Sequence, residues 1–339
     1  MLISFAGSMA SDSDQNPEPE WLRNLPLLSE EIGFSPEELV ACGACGKANA
    51  PNRPACLYCG TALEQSGITR FEIREPEGWE SGFNVVVIET SDADLDRAAV
   101  HMASLLRTER DVMSSILTAG AALPLARVES ESQAKGVAEK LAELGIKTMI
   151  VADDSLHPKS PPARLRSIVF EGDKLNLELF NGSGIRSLER NELALIVPGI
   201  ILEARAESIE KRKLRGSKTL SETETSTDGL VIDIYSRNDP TGRRIPASGF
   251  DFSCLGSDKS LTVVENMRKL VARLADFSPS AKLIQDYARV RLILEYAWPS
   301  ESKRESQHIK LSRKEVSNVF TSSNVTQLTK YSRLQWRLL

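Results

Sequence analysis

At 339 residues, with 41% hydrophobic and 26% charged side chains, the chain has the composition of a soluble globular protein long enough for two or three domains. A net charge of only -5 gives it no global field to attract nucleic acid or anionic lipid, so any such partner must be met by a local patch. The longest apolar run, 193–202, is far short of a bilayer span and is interrupted by Pro198-Gly199, so no membrane helix is expected.

The opening Met1-Leu-Ile-Ser-Phe5 lacks a basic region and runs into Ser11-Asp-Ser-Asp14, which argues against export and for a cytoplasmic protein, with Met9 as an alternative start. Residues 1–37 are acidic and dotted with proline, a composition that cannot bury enough apolar surface to fold alone. Within them Trp21-Leu22 and Leu25-Pro-Leu-Leu28 form an apolar island.

Residues 38–66 hold four of the five cysteines, as Cys42-Gly-Ala-Cys45-Gly46 and Cys56-Leu-Tyr-Cys59-Gly60. Two C-x-x-C turns, each closed by a glycine that lets both thiolates face one point, make a tetrahedral S4 cage for a structural Zn2+ held by Cys42, Cys45, Cys56 and Cys59. Disulfides are the weaker reading in a chain otherwise nearly free of cysteine, and neither pair precedes the amphipathic helix of a thioredoxin-like redox site. A closed S4 cage leaves no coordination position for substrate, so this metal builds structure. Cys254, alternating with Phe250 and Phe252, is expected to point into a core.

The two knuckles, the Asn- and Pro-containing loop between them and the trailing Thr61-Ala-Leu63 resemble the bacterial zinc-ribbon family. The order Cys45, Asn49, Cys56 is also similar to the Ran-binding-protein type of zinc finger, whose members bind RNA or ubiquitin. This chain has Val40 where that family places a tryptophan, so its ligands are not carried over.

In residues 80–153 the apolar pattern reads as strand, helix, helix, strand, helix, strand. Phe83–Glu89 is a buried strand, and Leu95, Ala99, Met102 and Leu106 give a helix over 92–106. Thr108–Asp111 has the form of a capping box for a second helix with Val112, Met113, Ile116 and Leu117 inward, ended by Gly120. After the strand Leu123–Val128, Ser130–Gln133 caps a third helix that closes at Gly145, and Lys147–Val151 is the last strand. This order, with Phe83-Asn-Val-Val-Val, Leu123-Pro-Leu and Ala134 through Thr148, resembles the C-terminal domain of the bacterial ribosomal stalk protein. The resemblance implies a small α/β module. The factor binding of that family is not carried over, because its glycine-rich turn is replaced here by Leu105-Leu-Arg-Thr-Glu-Arg110 and its lysine-rich face has no counterpart in Asp96, His101, Ser104 or Ser114.

Beyond the proline-rich linker 155–162, periodicity switches to two. Arg166–Phe170, Lys174–Phe180, Leu193–Val197, Ile200–Ala204, Leu230–Tyr235 and Ile245–Cys254 read as strands, and an amphipathic helix over 261–277 closes a β-rich module, 163–277. Six strands and a helix resemble a pleckstrin-homology-type barrel. Residues 278–339 read as a helical, basic C-terminal segment with a helix over 281–298 ended by Pro299 and terminal aromatics docked on a neighbour. The fold class is therefore multi-domain α+β.

Motifs for catalysis are not found. The three histidines, His101, His157 and His308, belong to no cluster, Gly216-Ser-Lys-Thr219 lacks the first glycine of a phosphate loop, and Gly182-Ser-Gly184 joins two strands as a hairpin turn. The segment Lys211-Arg-Lys-Leu-Arg215 with Lys218 reads as a solvated loop between strands, or alternatively as a phosphate clamp. The reading is a modular adaptor or regulator, more a binder than an enzyme, acting through a protein partner that the sequence does not name. The first alternative is a nucleic-acid-binding regulator using Lys47, Arg53 and the basic loop 211–218. The second is an enzyme with a site between the last two domains.

Overall fold

A computed structural model describes residues 39–49, 53, 55–61, 63, 73–76, 80–90, 94–156, 161–182, 184–213, 216–309 and 315–339, with 210–213, 216–220, 222, 307–309 and 315–316 described in backbone alone. The acidic segment 1–37 and its apolar island lie outside the described residues. The chain divides into two compact units, Met1–Phe71 and Glu72–Leu339. In the first, β1 (Val40–Ala41) pairs antiparallel with β2 (Ala48–Asn49) beside the cysteines.

The second unit begins with β3 (Phe83–Glu89), whose run of Val85, Val86 and Val87 is buried on both faces and takes the centre of an antiparallel sheet of order β4-β3-β5. Helices α1 (Leu95–Leu106) and α2 (Arg110–Leu117) lead into β4 (Leu123–Val128), and α3 (Glu131–Glu143) leads into β5 (Lys147–Ala152). The expected element order is thus present. Ser130 caps α3 through the Gln133 N–H as its sequence indicates, whereas the Thr108 box does not form: α2 starts from Glu109 with no side-chain cap, and Asp94 caps α1 instead.

A short helix α4 (Asp153–Leu156) leads to nine further strands in one sheet. They are β6 (Ala163–Glu171), β7 (Lys174–Leu179), β8 (Ile185–Glu189), β9 (Leu193–Lys213), β10 (Gly216–Ser236), β11 (Asp239–Pro246), β12 (Lys282–Leu283), β13 (Glu301–Ile309) and β14 (Glu315–Ser323). Their path is β13-β14-β9-β10-β11-β6-β7-β8, with β12 also on β9; the β11–β6 and β12–β9 contacts are parallel and the rest antiparallel. Strands β6 to β11 share a core closed by α5 (Val263–Phe277), but they are not the six read from sequence: 193–197 and 200–204 belong to one strand, β9, the strand β8 was not read, and the sheet runs on through β14 and β13.

Three sequence readings are corrected here. The run 245–254 is not one strand: β11 stops at Pro246 and Phe252–Asp258 is a 3-10 turn, although Phe250 and Phe252 are buried as expected, 5.1 Å apart edge to face, with Cys254 packed against their cluster. The C-terminal segment is not all helical, since α6 covers only Tyr287–Leu294 and β13 and β14 precede α7 (Val325–Arg337). Pro198-Gly199 does not interrupt β9, because both residues stay in register with Ile232 and Val231. Pro198 lies between the stretch of β9 that meets β12 and the stretch that meets β14, where a missing N–H costs no ladder bond on that side. Gly199 is needed for packing: a Cβ there would come within 2.7 Å of Leu328 on α7.

The segments read as separate domains, 80–153, 163–277 and 278–339, are joined in the structure by α6 and α7. Leu195 and Val197 of β9, Val231 and Tyr235 of β10, and Tyr287, Leu294, Leu328, Tyr331 and Leu334 belong to the same core as β3 to β5. The other face of β9 and β10 buries Ile196, Ile232 and Ile234 beneath α5. A strand pair covered on both faces explains the unbroken apolar run at 193–197. Among the described residues no helix is long and apolar enough to cross a membrane.

Among the described residues of this unit two carboxylates are buried, Asp153 and Asp233. Asp153 receives the Gly82 N–H at 3.0 Å, the Asn84 amide at 3.0 Å, Arg127 Nε at 2.7 Å and Lys330 Nζ of α7 at 3.1 Å, and Asn84 in turn accepts from Trp298 Nε1 at 2.7 Å. Asp233 accepts two bonds from Arg244, each 2.7 Å, and one from Ser332 of α7 at 2.9 Å. Burial pushes the Asp153 carboxyl up, but Lys330, the Asn84 amide and Arg127 outweigh it and hold it below its ordinary 3.8. Folding therefore favours the charged form, and its contribution is complete above that ordinary value and lost as pH falls through the depressed folded one. Asp153→Asn, which removes the negative charge between Arg127 and Lys330, is expected to cost about 3–5 kcal/mol at neutral pH, with the gap to the parent narrowing below about pH 4. Urea unfolding at both pH values checks this, and a constant gap contradicts it.

Candidate metal centre

The four cysteines meet because each C-x-x-C segment folds into the same turn. The Gly46 N–H donates to the Cys42 carbonyl at 2.7 Å and the Gly60 N–H to that of Cys56 at 3.0 Å, and both glycines take a left-handed φ, +69° and +72°. The Cys42 and Cys56 N–H groups close the turns on the Lys47 and Thr61 carbonyls. All four sulfurs then lie within 4.8 Å of one another, with Cys42–Cys59 and Cys45–Cys56 each at 3.6 Å. Four sulfurs about 2.3 Å from a central Zn2+ stand about 3.8 Å apart, so the set fits a tetrahedral zinc ion. Bound there, zinc would supply a structural cross-link between the two knuckles, with its coordination filled by Cys42, Cys45, Cys56 and Cys59.

Asn49 ties the knuckles together. Its amide donates to the Lys47 carbonyl at 2.8 Å and to Cys56 Sγ at 3.4 Å, while its Oδ1 accepts the Leu57 N–H at 2.8 Å. Burial pushes the Cys56 thiol up, yet the N–H groups of Tyr58 and Cys59 and the Asn49 amide bring it down to about 6. The Lys47 N–H favours the Cys45 thiolate, but desolvation and the sulfurs of Cys56, Cys59 and Cys42 push it up to about 12. Four thiolates this close together repel one another, and a divalent metal at their centre would offset that repulsion.

With the thiolates turned inward, the residues between them are turned outward. Leu57 is 63% and Tyr58 56% exposed, and Lys47 Nζ sits 4.4 Å over the Tyr58 ring. The sequence reading passed over these two residues, although their place inside a C-x-x-C was the signal. Of the other sites considered, Lys47 and Arg53 are exposed in the ribbon unit, His101 is exposed on α1, His157 lies outside the described residues and His308 is in β13 opposite Val316. The loop 211–218 is corrected: Lys211–Lys213 end β9 and Gly216–Lys218 begin β10, in register with each other. Comparison with protein-family models, curated proteins and solved structures gives no match to this chain, so neither the zinc-ribbon nor the stalk-protein resemblance gains support from it.

The chain purified without chelator is expected to carry about one equivalent of zinc. Asn49→Ala, which strips a hydrogen bond from a ligand sulfur and one from the second knuckle, should weaken zinc affinity about 10- to 100-fold in a competition titration with a chromogenic chelator. An unchanged affinity would show that Asn49 only fills space.

Proposed function

We propose that the protein is a zinc-binding adaptor that acts through protein–protein binding, with the ribbon as one docking surface. The observation that carries this reading is the outward display of Leu57 and Tyr58 on a knuckle whose inward side is consumed by the metal cage. An aromatic and an aliphatic residue held rigidly in water are the kind of anchor that contributes most at an interface. A cage with four protein ligands supports a binding role over a catalytic one.

The larger unit adds support of the same kind. Between α5 and the β9–β10 face runs a groove of ≈ 520 Å³ lined by Leu230, Val231, Val264, Met267, Val271 and Leu283, with Arg268 and Gln285 as its polar members. Such an apolar lining suits a partner's side chains better than it suits acid–base chemistry. Leu57→Ser and Tyr58→Ser are each expected to weaken capture of a native protein partner by about five- to thirtyfold while zinc content stays at parent level. Photo-crosslinking from position 58 in native lysate is the accompanying test. Adducts with protein that disappear on chelation support the reading, and adducts with nucleic acid alone overturn it.

A further inference from the structure

The outer strand of the small sheet is left with an unused edge. In the order β4-β3-β5, β5 pairs with β3 on one side and with no described strand on the other. The Asp153 N–H donates to the Gly82 carbonyl at 2.9 Å, so residues 82 and 153 are a hydrogen-bonded pair. The alternation of an antiparallel ladder then makes 84 with 151 and 86 with 149 the next such pairs. The N–H and C=O groups of Thr148, Ile150 and Ala152 therefore point away from β3. Ser155 Oγ donates to the Ala152 carbonyl at 2.6 Å, whereas the backbone groups of Thr148 and Ile150 have no partner among the described residues.

Edge strands are ordinarily guarded against pairing by charged side chains. The two strands that end the large sheet follow this rule, β13 with exposed Lys303, Arg304 and Glu305 and β8 with exposed Arg186 and Glu189. In β5, by contrast, Thr148-Met-Ile-Val-Ala152 carries no charge. Residues of β5 and α3 line a cleft of ≈ 730 Å³ whose apolar members are Ile88, Ala138, Ala142, Ile146 and Ile150. The two alanines of α3 leave room there that longer side chains would fill. A strand laid on this edge gains backbone hydrogen bonds and a recess for its alternate side chains, the two components of recognition by strand addition.

The ends of β5 indicate which strand fits. Lys147 is exposed at its start, where it holds Glu89 at 2.6 Å, and Asp154 is exposed just past its end with Ser81 as its hydrogen-bond partner. A second copy of β5 laid antiparallel sets each basic start toward the other's acidic end, whereas a parallel one sets like beside like. We propose that two copies of the chain associate through β5, antiparallel about a two-fold axis at Met149, to give one six-stranded sheet of order β4-β3-β5-β5-β3-β4.

The unused groups select this register. With the axis at Met149, Thr148 of each copy faces Ile150 of the other, and each such pair exchanges two hydrogen bonds. An axis at Ile150 would call on the Ala152 carbonyl, which Ser155 already holds, and an axis at Thr148 would call on the Ile146 N–H, which donates to the Leu141 carbonyl. Met149 then meets its own counterpart as a non-hydrogen-bonded pair, with Cα atoms about 4.5 Å apart. Ile150 of each copy lies on the side of the sheet that carries the clefts.

The test is the oligomeric state of the zinc-loaded full chain by sedimentation velocity from about 1 to 100 µM, over which a concentration-dependent dimer is expected. Met149→Cys should yield, under mild oxidant, an intermolecular disulfide that peptide mapping places between the two positions 149, since Cα separations of about 4.4–6.8 Å suit that bond. Thr148→Pro removes an outward N–H that β3 does not use, and Thr148→Lys supplies the missing charged guard. Each should raise the dissociation constant at least about tenfold while amide protection of 83–89 stays at parent level. Leu57→Ser and Tyr58→Ser should leave association unchanged, which separates this surface from the ribbon. A chain that stays monomeric at about 100 µM overturns the proposal, whether or not a foreign strand occupies the edge. So does a dimer that both Thr148 variants leave intact, or one in which Met149→Cys forms no link to its counterpart.

Discussion

The arrangement of the larger unit depends on what α7 brings into its interior. A C-terminal helix packed only through Leu328, Tyr331 and Leu334 could slide or rotate on an apolar surface, but this one also carries Lys330 to Asp153 and Ser332 to Asp233. Hydrogen bonds to buried carboxylates are directional and costly to leave unmade, so they fix the helix in one position. Because Asp153 also collects Gly82, Asn84 and Arg127, the same helix anchors the β3–β5 sheet. Asp233, through Arg244, anchors β10 and β11. Three stretches of sequence that look like separate modules are thereby made one body.

The smaller unit is held by the opposite strategy. Its described residues form two short strands and bury no apolar side chain besides those of Cys42 and Cys56, and its turns converge on four sulfurs. A metal held there would replace a core, leaving the apolar residues of the second knuckle free to face outward. This division of labour connects structure to the proposed role: the residues that would be used for packing in a larger domain remain available for a partner.

The cysteine cage was legible because ligand spacing is a covalent constraint, and the order of β3 to β5 with its helices was legible because the buried strands are short apolar runs and the helices between them each have one wet and one dry face. Helix α3 shows both signals together, with Ser130 at its start and Ala134, Val137 and Leu141 buried. The extension of β9 and β10 past residues 199 and 231, with β14 and β13 along it, was not legible. Ser221–Asp228 and 301–309 meet water on both faces over their described stretches, so they lack the apolar alternation that marks a half-buried strand; the first reads as a charged loop and the second as part of a helical, basic segment. Their pairing is carried by backbone hydrogen bonds, which leave little trace in composition. The polar side of α7 escaped for a related reason: Gln327, Thr329, Ser332 and Arg333 look solvent-facing in sequence, yet they are buried against partners up to 177 residues away.

Two bodies with two different sources of stability should respond differently to loss of metal. The most direct measurement is amide hydrogen exchange of the intact chain with and without a zinc chelator. Chelation should erase protection across 39–61 and leave 83–156 and 163–339 as protected as before. Loss of protection along β3, β9 and α7 on chelation would contradict the independence of the two units, and persistent protection of 39–61 would contradict a fold built on its metal.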